Sequence, residues 1–149
     1  MSAADAAARV AASFAAQGIM AHLGALLVRV EPGICEIELP YRQELSQQDG
    51  FFHAGAVVTV ADSAAGYAAF SLMPAGHRVL TVELKVNLMA PARGERIVAR
   101  GRVRKAGRTL SVVETEVTAH AGATATVCAL LLGTVIGLDG RPPVSPASP

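Results

Sequence analysis

The feature that most constrains this chain is the apolar run from about Ala54 to Leu72, which stops before Pro74 and holds one ionisable side chain besides the Tyr67 phenol: Asp62. Its length favours helix over strand. The seven alanines in it agree, while Val57, Val58 and Val60 lean the other way. A helix that is apolar all round is expected to be buried all round, so the remaining chain has to wrap it.

The flanking segments offer the material. Ala3 to Gln17 is Ala-rich with Val10 and Phe14 one turn apart, so a helix over 3–17 is expected, capped by Gly18, with short helical character continuing to His22. Gly24 to Val30 and Ile34 to Leu39 are β-rich and joined by Glu31-Pro32-Gly33, a hairpin signal. A polar loop from Tyr41 to Phe52 leads into the long helix. After Pro74-Ala75-Gly76 come Val79–Met89, Glu95–Lys105, Thr109–His120 and Ala123–Ile136. Their short breaks predict an antiparallel meander.

The order is helix, two strands, long helix, four strands. A helix of about 27 Å leaves an antiparallel sheet little choice but to curl over it. This is an α+β architecture of the hotdog kind, a single domain over 1–138, followed by a Pro-rich stretch over 139–149 expected to be disordered.

Composition narrows the function classes. With 149 residues, 52% hydrophobic but no Trp and six Phe plus Tyr, one core of small side chains is expected. A formal charge of +1 supplies no field for a polyanion, so nucleic acid is not an expected partner. Asp5 and Arg9 interrupt the N-terminal stretch, which is too short to span a bilayer, so no membrane partner is expected either. Cys35 and Cys128 sit in apolar runs, and without a signal peptide a cytoplasmic location is expected. His22, His77 and His120 fit no metal-ligand spacing, so neither metal nor cofactor is expected.

Asp62 is where chemistry is expected. An unpaired carboxylate in an apolar setting costs several kcal/mol unless it is paired, hydrated or used. No Lys or Arg lies between Gly50 and Leu72, and of the nearby hydroxyls of Thr59 and Ser63 only Thr59 shares its face well. It is either a hydrogen-bonded structural acid or, the better bet, a functional one. Just upstream, Gly50-Phe51-Phe52-His53-Ala54-Gly55 brings small residues to a helix N-terminus, where free amides and the dipole suit a developing oxyanion. His53 is read as a residue that orients this loop.

These segments, with Ala61-Asp62-Ser63, Thr81-Val82-Glu83-Leu84, Asn87 and Pro91-Ala92, resemble the PaaI-like branch of hotdog acyl-CoA thioesterases over about residues 20–136. In that family a His-Gly-Gly motif opens the helix and a carboxylate nine residues after the His does the chemistry; His53 and Asp62 are nine apart. Ala54 replaces the first Gly, but the role needs only its backbone amide. Gln47 stands where many relatives have Asn near the thioester, and Thr81 where they have Ser or Thr to hold the water. The resemblance implies an acyl-CoA substrate, with CoA as part of it rather than a cofactor, and a homodimer or homotetramer.

Spacing implies a shared site independently. Amides at Ala54 or Gly55 and a carboxylate at Asp62 are about 12 Å apart along one helix, so one thioester cannot touch both. Two chains would each supply half. Gly50, Phe51 and Phe52 are expected along the substrate cleft, and Arg93, Arg104, Lys105 and Arg108 as candidate contacts for the CoA phosphates. Arg96, Arg100, Arg102 and Arg104 also read as a solvated strand face paired with Glu114 and Glu116. A non-catalytic acyl-CoA sensor is the rival reading. A hydratase or dehydratase of acyl-thioesters is a weaker one, because the chain lacks a His five residues after Asp62, where Tyr67 stands instead.

Overall fold

The computed structural model describes residues 2–140, so the Pro-rich stretch from 141 onward lies outside the described residues. Helix α1, Ala3–Ala16, opens with a capping box in which Ser2 and Asp5 satisfy each other's backbone amides. It stops at Gln17, whose extended backbone (φ −81, ψ 101) breaks the helix. Gly18 does not cap α1, contrary to expectation; it opens α2, Gly18–Leu23. The left-handed cap is Gly24 (φ 73), closing α2.

Strands β1, Leu26–Glu31, and β2, Ile34–Pro40, form the expected hairpin, and the long helix is α3, Ala54–Phe70. Strands β3, Arg78–Leu88, β4, Arg96–Ala106, β5, Leu110–Ala121, and β6, Thr124–Leu138, complete a six-stranded antiparallel sheet. Its order is β1-β2-β4-β5-β6-β3. The expected four-strand meander is therefore corrected to β4-β5-β6, with β3 carried to the far edge. The β3–β4 connection is not a hairpin because it is held elsewhere: the Phe52 amide donates to the Ala92 carbonyl at 3.0 Å and the Tyr41 amide to that of Glu95 at 2.8 Å. Strand β4 then pairs with β2 (Cys35 opposite Gly101), leaving β3 to the long β6.

The sheet's inner face, with Ile97, Ala99, Val113, Val117, Ala129 and Val135 buried, meets the alanines of α3. At Gly101 a Cβ would collide with the Ala64 carbonyl, so strand and helix backbones touch there. A side chain at Gly101 would force the layers apart, overpacking that costs about 1–3 kcal/mol. Cys35 and Cys128 are free and buried, as expected, and burial pushes the Cys35 thiol up to about 12, which leaves it inert near neutrality.

Burial all round α3 does not hold. Gly55 is exposed, and Val58, Thr59 and Asp62 are only half-buried. Beyond this strip lies edge strand β3, and among the described residues no further strand covers it.

At its other end α3 is closed by a residue with no local signal. The Arg9 guanidinium donates to the carbonyls of Phe70 (2.8 Å), Met73 (2.7 Å) and Pro74 (2.6 Å) and lies 4.4 Å from the Phe70 ring centroid. The Phe70 carbonyl ends α3 and those of Met73 and Pro74 belong to the turn that follows it, so the cation faces the negative end of the dipole. Arg9→Ala is expected to cost about 2–3 kcal/mol, the scale for losing charge-assisted bonds to partly buried acceptors, and to lower Tm by roughly 5–10 °C. Urea and thermal unfolding measure this. A shift below one degree would show that α1 does not brace α3.

Candidate active site

Asp62 lies on the half-buried strip of α3, flanked by buried Ala61 and Ser63. The bulge in β3 between Thr81 and Glu83 turns Thr81 toward the helix, and its hydroxyl donates to Asp62 Oδ1 at 2.7 Å. This bond fixes the carboxylate's rotation and leaves Oδ2 free of any protein donor among the described residues. Thr59, which shares Asp62's face, does not pair with it: its hydroxyl donates to the Gly55 carbonyl at 2.7 Å. No cation bridges Asp62 among the described residues.

At the helix N-terminus, His53 is the N-cap. Its Nδ1 accepts the Gly55 amide at 2.8 Å, and its own amide donates to the Leu45 carbonyl at 2.8 Å. An accepting Nδ1 puts the ring proton on Nε2. The Gly55 amide is thus engaged within the loop, whereas the Ala54 amide donates to no protein acceptor among the described residues. Of the two candidate oxyanion donors, the free one is Ala54.

Beside Ala54 opens a cavity of about 460 Å³, lined mainly by Phe51, Phe52, Val57, Leu88 and Met89, with Gln47 at its polar side. Phe52 is largely core, edge-on to Tyr41 with centroids 5.3 Å apart. Gly50 (φ 81) makes the left-handed turn that returns the loop to Phe51. Gln47 folds back on its own loop, taking the Asp49 amide on Oε1 and reaching the Asp49 carboxylate with Nε2 at 3.4 Å.

The basic candidates separate. The Arg93 guanidinium lies 5.1 Å from the Phe51 ring centroid, at the rim of this cavity. Arg104 is bridged to Glu114 on the outer sheet face, as the solvated reading expected. Arg96 and Arg100 pair instead with Glu38 (3.3 Å) and Glu36 (3.1 Å). Lys105 and Arg108 are exposed near the C-terminal end of α3, where Arg108 lies beside Met73 and His77. Arg104, Lys105 and Arg108 are thus away from the Ala54 cavity of the same chain.

A second, smaller cavity of about 140 Å³ lies on the other side of Asp62, between α3, β3 and α1. Sequence reasoning did not find it, because it needs Ser13 of α1 and Gln17, the residue that ends that helix, to meet Asp62 in space.

The model of the thioesterase superfamily matches residues 49–126. The chain belongs to that superfamily. The match takes in the α3 N-terminus, Asp62 and Thr81 together. A thioesterase family protein from Silicibacter pomeroyi is 47% identical, with a TM-score of 0.89 over 91% of this chain and 99% of that one. A Saccharolobus solfataricus protein that carries an esterase name is 32% identical over 68% of this chain and 71% of its own length. The PaaI protein of Escherichia coli shares the fold, with a TM-score of 0.83 over 93% of this chain at 18% identity. The hotdog fold is therefore shown, and this superfamily member is a thioester hydrolase. Among the described residues no helix is long and apolar enough to cross a membrane.

Proposed function

We propose that the protein hydrolyses acyl-CoA thioesters at a site shared by two chains, with Asp62 as the catalytic carboxylate. The observation that carries this is the Thr81–Asp62 bond: a carboxylate without a cation among the described residues, held by a hydroxyl on a half-buried strip of the helix.

The second chain is asked for by two features. Ala54 and Asp62 are about 12 Å apart along α3, too far for one thioester. Edge strand β3 is long, unpaired on its outer side among the described residues, and exposes Leu80, Val82 and Leu88 at 56%, 56% and 57%. Such an edge is a template for pairing, and a two-fold there would bring the partner's helix N-terminus toward Asp62.

In this reaction the Ala54 amide of one chain stabilises the oxyanion while Asp62 of the other either deprotonates the attacking water or attacks to give a mixed anhydride that water then opens. Water adds across the thioester, so the acid and the CoA thiol leave in equal amounts. Neither route draws on a metal or cofactor. Arg93, stacked on Phe51 at the cavity rim, is the best placed of the basic residues to meet a CoA phosphate. The test is release of free thiol from a panel of acyl-CoAs spanning short, medium and aromatic acyl groups. Turnover of at least one member at a kcat above about 0.1 per second is expected against typical values of 1–10³. Binding without thiol release from every member would instead make the protein a sensor.

A further inference from the structure

The two cavities beside α3 differ in chemistry. The one at Ala54 is walled mainly by apolar side chains, whereas the space of about 140 Å³ beside Asp62 is lined mainly by polar ones and opens to solvent. Ser13 and Gln17 wall it from α1 and the end of that helix, Ser63 and Tyr67 from α3, and Thr81 from β3. Gly66 completes the α3 side without a side chain: a Cβ there would meet no heavy atom within 4 Å, so the helix leaves the space open. At about 30 Å³ each, on the order of five waters fit, and a water needs about two to four polar partners. The lining supplies them, and it does not suit an apolar acyl group.

We propose that the water consumed in the reaction reaches Asp62 through this space and that Gln17 holds it there. The inference deepens the acyl-CoA reading and rests on it. Where α1 breaks, the Gln17 side chain reaches α3, and its Oε1 accepts the hydroxyl of Ser63, the residue after Asp62, at 3.0 Å. That bond commits the oxygen. The free end of the side chain is therefore the Nε2 donor, which has no acceptor among the described residues. Across the space, Thr81 commits Asp62 Oδ1 at 2.7 Å and leaves Oδ2 without a protein donor among the described residues. A free donor and a free acceptor thus line one small polar space. This pair orients a water, which accepts from the amide and donates to the carboxylate.

Besides Asp62, the titratable side chain lining the space is Tyr67. Burial pushes its phenol up, so it stays protonated near neutrality and the base is Asp62. Asp62 takes the water's proton as the water oxygen bonds to the carbonyl carbon, and the proton leaves with the CoA sulfur when the C–S bond breaks. In the anhydride route the thiol leaves first, and the same water opens the bond between Asp62 and the acyl group. The acyl-CoA comes from the side of the second chain and the water from the side of α1, so neither has to displace the other.

Gln17→Glu and Gln17→Met, made in the full chain, test this with the acyl-CoAs that the wild type cleaves. Gln17→Glu keeps the shape and the oxygen that accepts from Ser63, but it removes the Nε2 donor and sets a second carboxylate near Asp62. Its kcat is expected to fall at least about tenfold, with KM not raised. The acid limb of its kcat–pH profile is expected to move up by about half a unit or more, because a like charge disfavours ionisation of Asp62. Gln17→Met, neutral and close in length, is expected to lower kcat in the same way and to leave the limb in place. Folded variants that lose Tm but keep kcat within about twofold of wild type would make Gln17 a brace for α1 and overturn the assignment. A KM that rises with the size of the acyl group while kcat holds would put Gln17 on the substrate and overturn it as well. A wild type that releases no thiol from any acyl-CoA would instead overturn the acyl-CoA reading itself.

Discussion

Asp62→Asn is expected to give a folded protein that turns over about 100-fold or more slowly than wild type, the usual scale for losing a general base or carboxylate nucleophile. The substitution isolates charge. Asparagine has the same shape and keeps an oxygen at the Oδ1 position, so the 2.7 Å bond from Thr81 survives. No ion pair is broken, because none of the salt bridges among the described residues involves Asp62. The side chain is half-buried, so stability should move by no more than about 1 kcal/mol. Melting temperature and steady-state hydrolysis on one preparation decide the matter. A folded protein retaining more than about a third of the wild-type rate would end the catalytic assignment, and Asp62 would be a structural acid.

Much of the fold was readable from local pattern, and the reason shows in particular residues. Ala54 to Phe70 is helical because length and alanine content outweigh the three valines, and the expected range overshot only by the last turn, where Ser71 closes it with a hydroxyl bond to the Ala68 carbonyl. The strands follow the alternation closely. Strand neighbours were not readable in the same way. Strand β3 alternates like β4 to β6, and nothing in its own residues says that the loop carrying Pro91 and Ala92 is tied to Phe52, which is what sends β3 to the far edge. Burial on all sides of α3 failed for the same reason, since an edge strand covers only one flank.

At the site, spacing brought His53 and Asp62 into view, and the fold placed Thr81 against Asp62 across the bulge. Three particulars lay beyond a linear reading. Whether Ala54 or Gly55 presents the free amide depends on where the His53 ring points. Arg9 reaches carbonyls more than sixty residues away, and the sequence shows it only as a charge interrupting an apolar helix. The wall that Ser13 and Gln17 build beside Asp62 is equally non-local, although a glycine in the middle of an alanine helix was a signal available from the start.

Ala54→Pro is expected to lower kcat by about 10²–10³, the scale for removing one oxyanion donor, with the fold intact. Proline is tolerated here for a stated reason. Ala54 is the first residue of α3, where the amide has no helical partner and a φ near −65° suits the helix. The preceding residue, His53, is already extended at φ −62 and ψ 139, the region that precedes proline without strain. The variant therefore deletes one N–H and little else. Its larger use is in combination. If each site takes its amide from one chain and its acid from the other, mixing Asp62→Asn with Ala54→Pro gives heterodimers with one site that has lost both groups and one that retains both. Two inactive proteins, unfolded and refolded together in equal amounts, would then recover about a quarter of wild-type activity, since random pairing makes half the dimers mixed and each mixed dimer has one working site of two. Amide and acid drawn from the same chain would leave every site in the mixture short of one group. A refolded mixture no more active than its two components, with native mass spectrometry showing the mixed dimers present, would rule out the two-chain site.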